Sequence, residues 1–293
     1  MRGTLPAAAL VLAGLQLHAA SLEIQHRARS LRPGELVLVE VQSREPLRGV
    51  RAEWLGQTLE FYQLEPRRWQ GLAPLDLSIA SGRHTLLINA TTTNGDLLQR
   101  RYPVTVSPRR FATRRITVPP EFARPPDEVR PRIEKEREAV EAILGRAPGG
   151  RLWTEPFVVP VPGRPTSPFG RRTILNGQMR GQHAGTDFEA DVGTPVVAPN
   201  GGTVVLAADH YLSGRTVIID HGLGMYSFLA HLSELGVSAG DTVERGQRIA
   251  LAGATGRVTG PHLHWAMRVA GARVDPLSVV AVLRDSPGPR SPP

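Results

Sequence analysis

The chain has 293 residues, a hydrophobic fraction of 41% and a formal net charge of +8, enough apolar material for two folded domains and too much for a disordered chain. It contains no cysteine, which excludes disulfide frameworks, lipid-anchor cysteines and thiolate metal sites; any metal must be held by His, Asp or Glu, as catalytic zinc is. The positive charge suits an acidic partner such as cell wall or anionic lipid, but it is nearly all arginine, with Lys135 the single lysine, and no basic run is interleaved with aromatics as a nucleic-acid surface would require.

In chain order, the first element has a basic Arg2, an apolar run from Leu5 to Leu17 and small residues at Ala19 and Ala20. The run is shorter than the roughly 20 apolar residues that span a bilayer, so residues 1–20 are expected to be a cleaved secretory signal peptide. No other segment is apolar enough to cross a membrane. Export then places the mature chain in the periplasm, or otherwise at the cell wall or outside it.

Residues 21–107 show short alternating runs, such as LVLVEVQ at Leu36 to Gln42, and a pair of runs separated by the hairpin signal Asn94-Gly95. They predict an immunoglobulin-like β-sandwich without a catalytic constellation, expected to contact the wall or act as a spacer. Residues 108–150 read as a Pro- and Arg-rich linker with a helix. Val129, Ile133, Val140, Ile143 and Leu144 recur there at helical spacing, and the charged face is expected only to solvate the helix. The APGG at Ala147 to Gly150 marks the next boundary. Residues 151–285 carry short strand runs and glycine turns without helical periodicity, which predicts a second, antiparallel all-β domain; 286–293 is a Pro- and Ser-rich tail expected to be disordered.

Six of the nine histidines fall between His183 and His264. In GPHLHWAMRV, Leu263, Trp265, Met267 and Val269 share one parity while His262 and His264 share the other, so a strand would bury the first set and project both imidazoles together. In HAGTDF, His183 and Asp187 flank Gly185, which suggests a tight loop entering a strand. Together the two elements supply two imidazoles and a carboxylate for one ion, with a fourth position left for water, as in catalytic zinc. Such an ion makes hydroxide available near neutral pH. The chain lacks HExxH, so the proton-handling groups are expected to be His231 and His262, sharing general-base and oxyanion-stabilising roles. His210 and His221 are assigned to turn hydrogen bonding or a groove rim.

The blocks SPFGRR from Ser167, HAGTDFEADVGTPVVAPNGGTVV from His183, IIDHGLG from Ile218, AHLS and GDTVERGQRIALAGATGRVTGPHLHW from Gly240 resemble the lysostaphin-like (LytM-type) zinc metallopeptidases. The resemblance covers nearly all of the second domain. It implies an antiparallel sheet with a groove, one zinc ion on His183, Asp187 and His264, catalytic His231 and His262, and peptidoglycan as the substrate, cut in its cross-links or stem peptides. One departure is that Leu229 stands where the family often has tyrosine; either Tyr226 replaces it or that assistance is absent.

Two other functions are set against this one. A scaffold that has lost zinc and activates cell-wall amidases would have lost ligand positions, whereas all three are present. A lipoyl- or biotinyl-type carrier, which GDTVERGQRIALAG resembles, needs a lysine at a hairpin tip, and Lys135 lies in the linker helix.

Overall fold

Alternation governs the first half of the chain. β1 (Leu22–Ala28), β2 (Leu36–Ser43), β3 (Leu47–Trp54), β4 (Gln57–Glu65), β5 (Arg68–Pro74), β6 (Gly82–Thr92) and β7 (Leu97–Val106) are all antiparallel, in the order β1-β2-β5-β4-β3-β6-β7. β4 pairs with β3 along its first half and with β5 along its second, carrying the sheet round a corner. The two ends approach where His26 Nδ1 lies 2.6 Å from the Tyr102 hydroxyl, so the sandwich is barrel-like. The computed structural model describes residues 21–118 and 124–284; the expected signal segment 1–20 and tail 286–293 lie outside the described residues.

β2 explains how this unit is used. Val37, Val39 and Val41 point into the core of the sandwich, whereas Leu36 and Leu38, of opposite parity, join Tyr62 and Leu72 in the core of the second half. A strand buried on both faces reads as a continuous apolar run, and LVLV is one. The sandwich is therefore packed against the rest of the chain, which the expected spacer role did not anticipate.

Polar groups fasten the same junction. The buried Glu35 carboxylate accepts from Arg29 at 2.7 and 3.0 Å, Arg109 at 3.2 Å and the Ser278 hydroxyl at 2.8 Å. Arg29 also donates to Asp275 at 2.6 Å. Nearby, Arg273 grips the Asp76 carboxylate at 2.8 Å.

The second half is built from β9 (Pro165–Ser167), β10 (Arg172–Leu175), β11 (Gln178–Gln182), β12 (Gly185–Phe188), β13 (Pro195–Val197), β14 (Gly202–His210), β15 (Gly214–Asp220) and β16 (Met225–Leu235). It continues through β17 (Thr242–Val243), β18 (Arg248–Ala252), β19 (Leu263–Val269) and β20 (Ala272–Val274), after a linker strand β8 (Thr113–Ile116). The main sheet runs β17-β14-β15-β16-β19-β12-β9 and is antiparallel throughout. On β19, Leu263, Trp265, Met267 and Val269 are fully buried, as the parity of the run predicts.

The linker helix α1 (Arg130–Leu144) lays the expected stripe on the opposite face of this sheet, with Val140, Ile143 and Leu144 against Leu206, Ile218, Tyr226 and Phe228. Its charged side does more than solvate. Glu136 accepts from the Tyr211 backbone N–H at 2.8 Å, and Arg132 donates to the Asp209 carbonyl at 3.0 Å, clasping the β14–β15 turn. Two further features depart from the sequence reading. The linker contributes β8, which pairs parallel with β10. The second half also ends in a helix, α2 (Pro276–Val282), where none was expected; Asp275 caps it through the Leu277 N–H and Pro276 opens it.

Replacing Glu35 with alanine strands Arg29, Arg109 and Ser278 without their shared acceptor. Because Arg29 is one-third exposed, the expected loss lies at the lower end for a broken buried pair, about 3 kcal/mol; urea denaturation would measure it.

Candidate metal centre

Three side chains converge on one point because of strand register. β12 lies between β9 and β19, and Asp187 stands directly across from His264. His183 precedes β12 by two residues and shares the parity of Gly185 and Asp187. Gly185 is required for the approach: a Cβ there would lie 2.5 Å from the Trp265 carbonyl and 2.7 Å from the His264 ring.

The Asp187 Oδ1, His183 Nε2 and His264 Nδ1 atoms form a triangle with sides of 3.0, 2.8 and 3.0 Å. Tetrahedral zinc with arms of about 2.1 Å would need its ligand atoms about 3.4 Å apart, roughly half an ångström wider. The donor set also fits a cation chemically. His183 Nδ1 lies 3.2 Å from the Pro168 carbonyl, which can only accept, so Nδ1 carries the proton and Nε2 presents its lone pair inward, the usual arrangement behind a metal ligand. Burial pushes the Asp187 carboxyl upward, but His183 and His264 outweigh it and hold the group well below the usual carboxylate range. All three side chains stay 17–21% exposed, leaving an open side for water and substrate.

His231 and His262 stand beside the triangle, their ring centroids 4.8 Å apart. Each is held by a backbone carbonyl at Nδ1: His231 by Thr255 at 3.0 Å and His262 by Gly260 at 2.9 Å. Both Nε2 atoms are thereby left as the free nitrogens. His262 Nε2 is 3.8 Å from Asp187 Oδ1. Burial, reinforced by the neighbouring His264, pushes the His231 imidazole down to about 4, so it is neutral near pH 7. Its backbone is left-handed at φ 66°, a conformation that costs about 1 kcal/mol or more in a non-glycine residue. The Ser213 carbonyl, which accepts from His231 N–H at 2.9 Å, helps to hold it there.

A cleft of about 420 Å³ opens over these five residues, and Leu212, Ser213, Arg257, Val258 and Thr259 line its rim. None of its lining comes from residues 21–107. Among the described residues, no other group of three or more His, Asp and Glu side chains is arranged to share an ion.

Residues 181–276 match the model of Peptidase family M23. A crystal structure from Pseudomonas aeruginosa assigned to peptidase M23 is 30% identical, with a TM-score of 0.68 over 87% of this chain and 97% of that one. The chain belongs to peptidase family M23. Within the family it is similar to the peptidoglycan DD-endopeptidase ShyA of Vibrio cholerae, 47% identical over 93 residues, which are 32% of this chain and 22% of that protein. It is also 30% identical to the catalytic domain of lysostaphin from Staphylococcus simulans, over 41% of this chain and 92% of that domain, with a TM-score of 0.37. The matched region spans about a quarter of the length of the first curated relatives.

The remaining candidates of this M23 chain lie elsewhere. His210 lies on the wall of a neighbouring cleft under α1. His221 is fully buried, donating from Nδ1 to the Gly201 carbonyl at 2.7 Å and accepting at Nε2 from Ser227 at 2.8 Å. Leu229 points into the core, and Tyr226 is no substitute at the site, because its hydroxyl lies under α1, 3.4 Å from the Ile143 carbonyl. The carbonyls of Pro168, Thr255 and Gly260 escaped the sequence reading, since a backbone acceptor has no side-chain signature; the matching blocks from Ser167 and from Gly240 contain them without marking them.

Burial pushes the His221 imidazole down to about 4, against about 6.5 in an unfolded chain. Between those values the unfolded chain takes up a proton that the folded chain refuses. Stability present above pH 6.5 should therefore fall with pH through that window, by roughly 1 kcal/mol per pH unit. Denaturation midpoints from pH 7 to pH 4 should show a flatter profile for His221→Gln than for the unaltered chain.

Proposed function

We propose that this M23 chain is an exported zinc metalloendopeptidase that hydrolyses peptide cross-links or stem peptides of bacterial peptidoglycan. The observation that carries the reading is the triangle of His183, Asp187 and His264 beside two imidazoles whose Nε2 atoms are free. His183, Asp187 and His264 would hold the ion. Once bound, it would supply Lewis-acid chemistry, making a water nucleophilic near neutral pH and polarising a carbonyl. His231, kept neutral by burial, takes the proton of the attacking water at Nε2 and returns it to the departing amine. His262, with its Nδ1 fixed on the Gly260 carbonyl and its Nε2 near the Asp187 carboxylate, donates from Nε2 in its imidazolium form to the oxyanion that forms on the scissile carbonyl.

The similarity to ShyA, a peptidoglycan DD-endopeptidase, supports peptidoglycan as the substrate class and a DD-peptide bond as the one cut. The apolar run from Leu5 to Leu17 supports export to the periplasm; among the described residues no helix is long and apolar enough to cross a membrane.

Purified protein incubated with isolated sacculi should release muropeptides identifiable by mass spectrometry. His264→Ala should lose both zinc and release. His231→Ala should keep zinc while release slows by about 100-fold or more, the usual contribution of a general base. Undiminished release by His264→Ala would sink the site, and full zinc occupancy with no release from any sacculus would favour the amidase-activating scaffold.

A further inference from the structure

A second cleft, of about 410 Å³, adjoins the first and shares Leu212, Ser213 and His264 with it. Its walls include Ile133 and Val140 of α1 and Phe228 and Ala266 of the sheet. His264 and Arg268 both line it. They stand on the same face of β19, four residues and so about 13 Å apart.

Arg268 is the unusual member. The side chain is partly exposed to the cleft, yet its Nη1 is buried without a hydrogen-bond partner. Burial, together with the like charge of Arg273, pushes the guanidinium down to about 10. The acids around it are committed elsewhere. Asp76 is held by Arg273 through both oxygens and by Ser78. Glu136 is bound by Arg132 and the Tyr211 N–H, and Glu141 by Arg137. The cleft thus presents a partly desolvated cation, with Asp76 near enough to act on its charge but already held by Arg273, above an apolar floor that strengthens any charge pairing made there.

We propose that Arg268 is a specificity residue that binds a carboxylate of the substrate peptide, a few residues from the bond over His183, Asp187 and His264. The proposal rests on the peptidase reading of that site. An extended peptide advances about 3.3 Å per residue, so one strand lying along β19 spans both points, with its side chains against Ala266 and α1. Arginine, a planar donor fork, is suited to a carboxylate.

The test is calorimetric binding to the full-length His231→Ala protein, which leaves the ligand intact. The probes are a soluble cross-linked peptide dimer with free carboxylates and the same dimer with those carboxylates amidated. The free acid should bind about 10- to 100-fold more tightly, the range of a charge-assisted hydrogen bond. Adding Arg268→Gln should reduce that advantage to less than about twofold without weakening the amidated dimer, and Arg268→Lys should restore part of it. The melting temperature should hold or rise, because the group removed has a buried nitrogen without an acceptor. A carboxylate advantage that survives Arg268→Gln, or none to begin with, would overturn the assignment. So would equal weakening of both ligands with a lowered melting temperature, which would make Arg268 structural. Binding that depends on Arg268 in a chain that releases nothing from sacculi would remove the peptidase reading and leave the anion site standing.

Discussion

A carboxylate taken largely out of water must be met by positive charge. At Asp187 two imidazole nitrogens close in at 2.8 and 3.0 Å from different segments of the chain, and with the His183 lone pair turned inward the arrangement calls for a shared cation. The geometry tolerates little slack, since a one-residue slip between β12 and β19 would send His264 to the core face and Trp265 into the cleft. Register is secured from both sides: β9 pairs with β12 at Asp187, β16 pairs with β19 along six residues, and Gly185 removes the one side chain that would push the strands apart. The five-residue site is in this sense an outcome of sheet packing.

The linker takes part in the same arrangement. β8 lies along β10, whose hairpin leads directly into His183. α1 covers one end of the ligand-bearing face and, through Glu136, holds the turn whose Ser213 carbonyl supports the left-handed His231. A segment composed of prolines and arginines thereby fixes the position of a group placed in the chemistry, over a distance that its own sequence does not disclose.

What could be read in advance follows from periodicity. Two-residue alternation in HLHWAMRV gives both the buried set and the common face of His262 and His264, and the spacing of Val140, Ile143 and Leu144 gives the packed side of α1. Contacts made by the backbone could not be read, because the carbonyls that orient His183, His231 and His262 belong to residues of any type. Pairing by single short segments was equally hidden: TRRI carries no strand pattern, and its partner β10 lies some sixty residues away. α2 escaped because Val279, Val280 and Val282 favour strands, although Asp275-Pro276 is a recognisable helix opening. LVLV was read as one buried face when it has two, since its second partner is a surface formed by residues remote in sequence.

That second face of β2 bears on how the chain is made. Leu36 and Leu38 pack with Val274, Val279 and Val282, and Glu35 accepts from Ser278, 243 positions later. During synthesis the amino-terminal unit emerges first and can close its own valine core early. Its outer face then waits, apolar and with a carboxylate unanswered, until almost the last described residues arrive. Such long sequence separation slows folding and prolongs exposure of adhesive surface. The outer face of β2 is covered only when α2 docks, so the last helix of the fold completes the burial of one of its first strands.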